Sequence, residues 1–137
     1  MKGVFIYLLM VALLLGSFTG CEADVLPLGI TEKAVVERGT YVVKLLSEKE
    51  YESIVNLYRE DYRENITVEL LADTMDATLD RLGGFVDVTE ALVGGSLDEW
   101  TGRQSAFCML SCEYENGKKI FRVIFDDEMN LIGIFGK

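Results

Sequence analysis

Apolar residues recur every three to four positions from Thr31 onward, which is the period of amphipathic helices. Thr31 and Thr67 stand where a side chain can cap the first turn of a helix, and Gly83 is typical of a helix end. Residues 47–50 form a Ser-x-x-Glu capping box, which predicts that a second helix starts there. The sequence therefore predicts three helices. Their inward faces are Val35, Val36, Gly39, Val42, Val43 and Leu46; Tyr51, Ile54, Val55 and Tyr58; and Val68, Leu71, Ala72, Met75, Leu79 and Leu82.

Beyond Gly84 the apolar period changes to two, which indicates strands. Asn116-Gly117 predicts a tight hairpin, residues 126–130 predict a second hairpin loop, and Gly94-Gly95 predicts a bend or bulge. Helices followed by strands indicate the α+β class, with three N-terminal helices packed on a curved four-stranded antiparallel sheet. The strands are expected at residues 85–97, 103–114, 119–125 and 131–135.

The first twenty-one residues follow a different pattern. Lys2 precedes an apolar run from Val4 to Leu15, and small or weakly polar residues lead to Cys21. A charged start, an apolar centre and a small-residue site are typical of an export signal. The segment Phe18-Thr19-Gly20-Cys21 resembles the lipobox of prokaryotic lipoproteins, although Phe18 stands where that motif usually has leucine. The resemblance implies that Cys21 receives lipid and becomes the first residue of the mature chain.

Two other interpretations of this segment stay open. It is an ordinary signal peptide with an incidental cysteine, or an uncleaved anchor, since its ~17 apolar residues reach the lower limit for spanning a bilayer. All three interpretations place the folded part on the outer, extracytoplasmic face of the membrane. We expect a signal peptide at residues 1–20, a lipidated cysteine and tether at 21–30, and one domain at 31–137. The first expected partner is thus the membrane, through lipid on Cys21.

Charge narrows the classes of partner. Lys2 is the only charged residue before Cys21, so residues 21–137 hold 12 basic and 23 acidic side chains and a net charge of −11. Such a chain of 117 residues is long enough for one domain with a single core. Its acidity argues against nucleic acid, which needs a basic surface.

Cys108 and Cys112 are the cysteines that remain in the domain. Four residues apart in a strand, they lie ~13 Å from each other, too far for a disulfide. We expect both to pack as small apolar residues beneath a helix. Their spacing does not suit a metal, and no histidine is present to complete a site. The acidic run Asp126-Asp127-Glu128 lacks the spacing of a calcium loop, so no metal is expected.

Helix and turn sequences in the domain are similar to those of a known family. They include Leu45-Leu46-Ser47-Glu48-Lys49-Glu50-Tyr51, Leu79-Asp80-Arg81-Leu82-Gly83-Gly84-Phe85, Tyr114-Glu115-Asn116-Gly117 and Leu131-Ile132-Gly133-Ile134-Phe135. The family that they resemble, over roughly residues 31–136, is the domain of unknown function 3887. The resemblance implies the cystatin-like cone of nuclear transport factor 2 and ketosteroid isomerase. It implies no functional residues.

The absence of histidine removes the commonest general base and the Ser-His triad. A cone-shaped enzyme could still use a carboxylate and a tyrosine, and the candidates are Asp87 with Tyr58 or Tyr62. Asp87 alternates with valines as a solvent-facing strand residue does, and Tyr58 fits a core stripe. We therefore expect a non-catalytic protein without a cofactor.

Trp100 lies in the link between the first two strands. It either projects as an anchor for a partner or a ligand, or folds back over the mouth of the cone. The sequence leaves these two alternatives even.

The function expected first is a non-catalytic module, anchored at the membrane, that binds a small apolar ligand or another envelope protein through the concave sheet face. The alternatives are a cone-pocket enzyme and a purely structural envelope protein. A homodimer through the outer sheet face is a further arrangement that the sequence leaves open. An open polar cavity would favour the enzyme, a filled cone would favour the structural protein, and an exposed apolar patch would favour a protein partner.

Overall fold

A computed structural model describes residues 25–137. The expected signal peptide, Cys21 and the start of the tether lie outside the described residues. No helix within the described range is long and apolar enough to cross a membrane.

Helix α1 spans Glu32–Ser47. The Thr31 hydroxyl accepts a hydrogen bond of 3.1 Å from the Ala34 amide, so this residue caps the helix as predicted. The predicted apolar stripe faces the core, with Val36 at its half-buried margin. The buried residues of α1 are Val35, Gly39, Val42, Val43 and Leu46.

Helix α2 spans Tyr51–Leu57 and begins later than predicted. The capping-box prediction is wrong, because Ser47 is the last residue of α1 and Glu50, the residue before α2, makes no side-chain cap. The Ser47 hydroxyl instead lies 2.8 Å from the Val43 carbonyl and 2.7 Å from the Tyr114 hydroxyl. The chain then reverses at Lys49, which has a φ of 58°.

Helix α3 spans Val68–Leu82, after a short 3-10 turn at Glu60–Tyr62. Thr67 caps it through a 3.1 Å hydrogen bond from the Leu70 amide. The helix stops at Gly83, whose φ of 74° is a conformation that suits glycine. Both predicted ends are confirmed, but Val68 is exposed rather than inward-facing.

The sheet has the order β1-β2-β3-β4 and is antiparallel throughout. Two residues, Glu115 and Asn116, join β2 to β3, so the predicted hairpin is confirmed with Gly117 as the first residue of β3. The strands are β1 at Phe85–Leu97, β2 at Gln104–Tyr114, β3 at Gly117–Asp126 and β4 at Leu131–Gly136.

Of the bend or bulge predicted at Gly94-Gly95, the bulge is wrong. Both glycines pair in regular register with Phe107 and Ala106, and the irregularities of β1 lie earlier, between Phe85 and Asp87 and between Val88 and Glu90. The glycines serve close packing instead. A Cβ at position 94 would lie 2.5 Å from the Phe107 ring, and one at position 95 would collide with the Val25 carbonyl.

One face of the sheet packs against the helices and forms the core. Alternate residues of β2 and β3 are fully or almost fully buried there, including Cys108 and Cys112, which are free thiols beneath α1 as expected. Gly39 allows this contact, because a Cβ at that position would collide with the Cys108 sulfur. The sheet residues of the core are Ala106, Cys108, Leu110, Cys112, Tyr114, Phe121, Val123, Phe125 and Leu131.

Candidate functional site

The helix-covered face of the sheet, where the sequence analysis placed the binding surface, is filled by side chains. Phe121, Val123 and Phe125 have no solvent exposure, and they join one apolar cluster with Val42 and Ile54 from the helices. Every buried side-chain nitrogen or oxygen within residues 25–137 has a hydrogen-bond partner. This interior therefore contains no unpaired buried side-chain nitrogen or oxygen to which a ligand could hydrogen-bond.

The opposite face of the sheet carries apolar side chains that no helix of residues 25–137 covers. Register places Leu92, Met109, Arg122 and Phe135 in one row across the four strands. Leu92 and Phe135 are each 60% exposed. We call this surface the uncovered sheet face, and it consists of Leu92, Phe107, Met109, Ile120, Arg122, Ile124 and Phe135.

Glycines let the aromatic rings of this face lie flat on the sheet. The Phe107 ring covers Gly94, and the Phe135 ring lies close to Gly133, where a Cβ would come within 2.9 Å of it. A ring above a glycine restores the packing that the missing side chain would leave open. The result is a low, broad apolar surface.

Arg122 is the charged residue in the middle of the uncovered sheet face, whose rim carries Glu90, Glu113 and Lys118. Its guanidinium carbon lies 4.5 Å from the centre of the Phe107 ring, a cation–π geometry. It forms no ion pair within residues 25–137. The helical side is strongly acidic by comparison, since α3 alone carries Glu69, Asp73, Asp76 and Asp80.

Trp100 projects from the loop that joins β1 to β2, and its side chain is 98% exposed. Asp98 holds this loop by accepting hydrogen bonds of 2.9 Å from the Trp100 amide and 3.3 Å from the Thr101 amide. These bonds stabilise the carboxylate and lower the pKa of Asp98. Of the two alternatives for Trp100, the structure places it outward rather than folded back.

A cleft of about 550 Å³ lies at the same end of the molecule as Trp100. Charged and polar side chains line most of it, including Arg59, Arg103 and Asp126. Arg59 is already paired, at 2.7 and 3.0 Å from the two carboxylate oxygens of Asp61 and 3.6 Å from Asp126. Asp126 accepts hydrogen bonds from the Glu128 and Asn130 amides, so it organises its own hairpin loop. Within the described range, no group of side chains is arranged to hold a metal ion.

The residues predicted for a cone-pocket enzyme do not meet. Tyr58 lies in the core beside Leu131, and the loss of solvent there raises its pKa to about 12. Tyr62 is half-buried, with the Arg59 guanidinium 4.9 Å from its ring. Asp87 is exposed, accepts a hydrogen bond from the Val88 amide and pairs with Glu113.

Register gives the separation between these residues. Leu131 pairs with Phe125, which pairs with Ala106, whereas Asp87 pairs with Glu113. Seven residues of β2 separate Ala106 from Glu113, which corresponds to roughly 23 Å. Asp87 and Tyr58 thus belong to opposite ends of the sheet.

The sequence leaves a homodimer through the outer sheet face open, and β2 carries a more direct signal for the uncovered sheet face. Residues 106–110 of β2 are apolar at every position, without the alternation of a half-exposed strand. A continuous apolar run predicts a strand that is buried on both faces. The part of the chain that the structure describes covers one of these two faces.

Comparisons with known proteins give the same architecture and no activity. A family described as "Protein of unknown function (DUF3887)" matches residues 40–134. The structure is similar to one described as "NMR structure of protein from Ruminococcus gnavus ATCC 29149", with a TM-score of 0.72 and 20% identity. That similarity covers 82% of this chain and 96% of the other. No curated protein matches the sequence.

Proposed function

Because the chain belongs to the DUF3887 family of proteins of unknown function, which offers no activity to transfer, we propose a function from its surfaces. The protein is a lipid-anchored, extracytoplasmic module without catalytic activity. It binds another protein through the uncovered sheet face.

The observation that carries this proposal is an apolar sheet face left open on a domain whose interior is full. Soluble domains seldom expose contiguous apolar surface without using it for binding. Aromatic and arginine side chains are the types that contribute most to protein interfaces. Phe107, Phe135 and Arg122 supply both types at the middle and edge of the face.

Charge favours a partner that presents a carboxylate to Arg122. This arginine has no ion-pair partner among the described residues, and its stacking on Phe107 holds the guanidinium above the apolar surface. A second copy of the chain meets this requirement, because Glu90 and Glu113 lie on β1 and β2 at the rim of the same face. A homodimer is therefore one form of the proposed interaction.

The two alternatives have weaker support. A small apolar ligand would need an enclosed apolar cavity. The cleft near Trp100 is lined mostly by polar groups, and the apolar depression of about 350 Å³ beside Met109, Ile120 and Phe135 lies open on the uncovered sheet face. A cone-pocket enzyme would need its carboxylate and tyrosine together, and Asp87 and Tyr58 lie at opposite ends of the sheet.

The anchor is tested by the mass of the protein purified from membranes of a bacterium that processes lipoproteins. We expect a chain that begins at Cys21 and carries acyl groups. A cleaved chain without lipid, or a chain that retains residues 1–20, would contradict this part of the proposal.

The binding face is tested by photo-crosslinking in intact membranes. A photoreactive residue replaces Leu92 on the uncovered sheet face, or Tyr41 on the helical side, which is 50% exposed and serves as the matched control. We expect a discrete adduct from position 92 and none from position 41. The adduct from position 92 should disappear when Arg122→Glu is added.

The mass of the adduct identifies the partner. Twice the mass of the chain indicates a second copy, and another mass indicates a different envelope protein. Equal labelling at both positions, or no adduct from position 92, would overturn the proposed binding face.

A further inference from the structure

The chain that leads into α1 is built into one end of the domain. The Val25 backbone lies against Gly95, close enough to exclude any side chain there. Pro27 is buried, and Leu26 and Ile30 pack against the core. A turn closed by a 3.1 Å hydrogen bond from the Ile30 amide to the Pro27 carbonyl connects this segment to the helix.

The same end of the domain carries the loop of Trp100. Gly95 is two residues before the end of β1, so the point where the chain meets the sheet is five residues from Trp100. At the maximum span of about 3.6 Å per residue, these two positions are at most ~18 Å apart. The β3–β4 loop lies there too, since Asp126 at the end of β3 pairs with Ser105 at the start of β2. The Arg38 side chain of α1 donates a 3.0 Å hydrogen bond to the Met129 carbonyl in this loop.

Exposed apolar residues gather on these segments. Trp100 is 98% exposed and Leu28 is 100% exposed, while Val25 and Leu97 are more than half exposed. We call these four residues the apolar rim. Burial of Val25 and Leu97 is incomplete even though their neighbours Leu26 and Gly95 pack inward.

The distance to the proposed anchor connects these observations. Val25 is the fourth residue after Cys21, and four residue steps span at most ~14 Å even when fully extended. A lipid on Cys21 therefore holds the apolar rim within reach of the membrane surface. Tryptophan is the side chain best suited to that interface, because it combines a large apolar ring with an N–H donor.

We propose that the apolar rim docks on the bilayer to which Cys21 is anchored, with Trp100 inserted at the lipid headgroup level. This inference rests on the proposed lipid anchor. Asp98 and Glu99 flank Trp100 and would be repelled by anionic headgroups, so the surface that it fits is a zwitterionic one. In this orientation the strands extend away from the membrane. The uncovered sheet face is then roughly perpendicular to the membrane surface and stays accessible to a protein partner.

Trp100 is the only tryptophan in the chain, so its fluorescence reports on this contact alone. The full-length lipoprotein is purified from membranes and reconstituted into phosphatidylcholine vesicles, with or without bromine on the acyl chains. Bromine quenches tryptophan only at close range. We expect Trp100 emission at shorter wavelength than in the denatured protein, and a loss of emission in the brominated vesicles.

The control moves the reporter to the other end of the sheet. Trp100→Phe combined with Val86→Trp places the indole at a site that is also exposed, at 55%, near the start of β1. Its emission should be the same in both kinds of vesicle.

The outcomes separate the two proposals. Lipidated protein with unquenched Trp100, or with equal quenching at positions 100 and 86, overturns the docking and leaves the anchor in place. Unquenched Trp100 would direct attention to a protein partner for this loop. Protein without lipid on Cys21 overturns the anchor and the docking together.

Discussion

At the scale of single residues, contact distances decide which side chains this fold accepts. Gly39 is the clearest case, because it occupies the middle of α1 where alanine would normally be preferred. The reason is the Cys108 sulfur, which fills the space of a Cβ at position 39. Position 39 therefore requires glycine because of a contact with β2, a strand that lies far along the chain from α1.

Gly39→Ala should destabilise the protein by about 1–3 kcal/mol, as overpacking of a core usually does. Helix propensity alone predicts the opposite sign, a gain of about 0.5–1 kcal/mol. Chemical denaturation measures the difference. In a Cys108→Ala background the collision partner is absent, so Gly39→Ala should become neutral or stabilising; an unchanged cost would show that Cys108 is not the cause.

Burial of the two thiols gives the protein a predictable weakness to alkali. Desolvation raises the pKa of Cys108 to about 12 and that of Cys112 to about 11. In the unfolded chain thiols ionise near pH 8.5. The folded state therefore holds these protons longer, and its stability should fall as pH rises from about 9 to 12.

Unfolding free energies measured between pH 7 and pH 11 test this. Stability should be constant near pH 7 and decline above pH 9, and the decline should be shallower in the Cys108→Ala variant. An equal slope in both proteins would assign the alkaline loss to other groups, such as Tyr58 and Tyr114, whose pKa burial also raises.

At the scale of elements, the start of α1, both ends of α3 and the positions of the four strands followed from the sequence. Thr31, Thr67 and Gly83 act locally, through hydrogen bonds and backbone angles that neighbouring residues determine. The start of α2 did not follow, because Ser47 is bound by Tyr114, a residue of β2. Local patterns cannot reveal a partner that is supplied by the tertiary fold.

The same distinction applies to the candidate surfaces. The sequence predicts that Cys108 and Cys112 of β2 lie beneath a helix, and the structure has them there. It predicts a bend or bulge at Gly94, because the role of this glycine depends on the distant ring of Phe107. The uncovered sheet face could not be predicted from the sequence, because the strand pattern does not tell how many faces of the sheet the helices cover. Neither Asp87 nor Tyr58 could be placed relative to the other before the register was known.

Helix α3 carries four carboxylates at spacings of four, three and four residues, so they share one side of the helix. Lys49 contacts two of them, at 3.8 Å from Asp76 and 2.6 Å from Asp80. Asp73 lies next to the carboxylates of Glu69 and Asp76 on this side of the helix. Among the described residues, it has no basic side chain as an ion-pair partner. Asp73→Asn should stabilise the protein by roughly 0.4–1 kcal/mol, since each like-charge pair costs about 0.2–0.5 kcal/mol.

Thermal unfolding at low salt measures this gain, and 1 M sodium chloride should remove most of it because salt screens exposed charges. Asp127→Asn, in the β3–β4 loop, is the control and should leave stability nearly unchanged. A gain that persists in high salt would point to a cause other than charge repulsion.

At the scale of the whole molecule, the segment before α1 is part of the domain. Gly95→Val should displace Val25 and its neighbours from β1 while the sheet itself remains folded. Hydrogen exchange of residues 25–30 should become faster, with little change in β2 and β3. Gly94→Ala, one residue away but on the other face, should leave this segment protected; equal effects of the two variants would contradict the assignment.

The order of the strands in the sheet is also their order in the chain. Each strand therefore finds its partner through a short turn, and little chain entropy is lost before each pairing forms. The sheet can grow by one strand at a time in a chain that arrives from its N-terminus. The bridge between Tyr58 and Leu131, which joins the end of α2 to β4, forms only once β4 has followed the other three strands. The end of α2 therefore gains this partner late, after the strands that lie between them in the chain have been made.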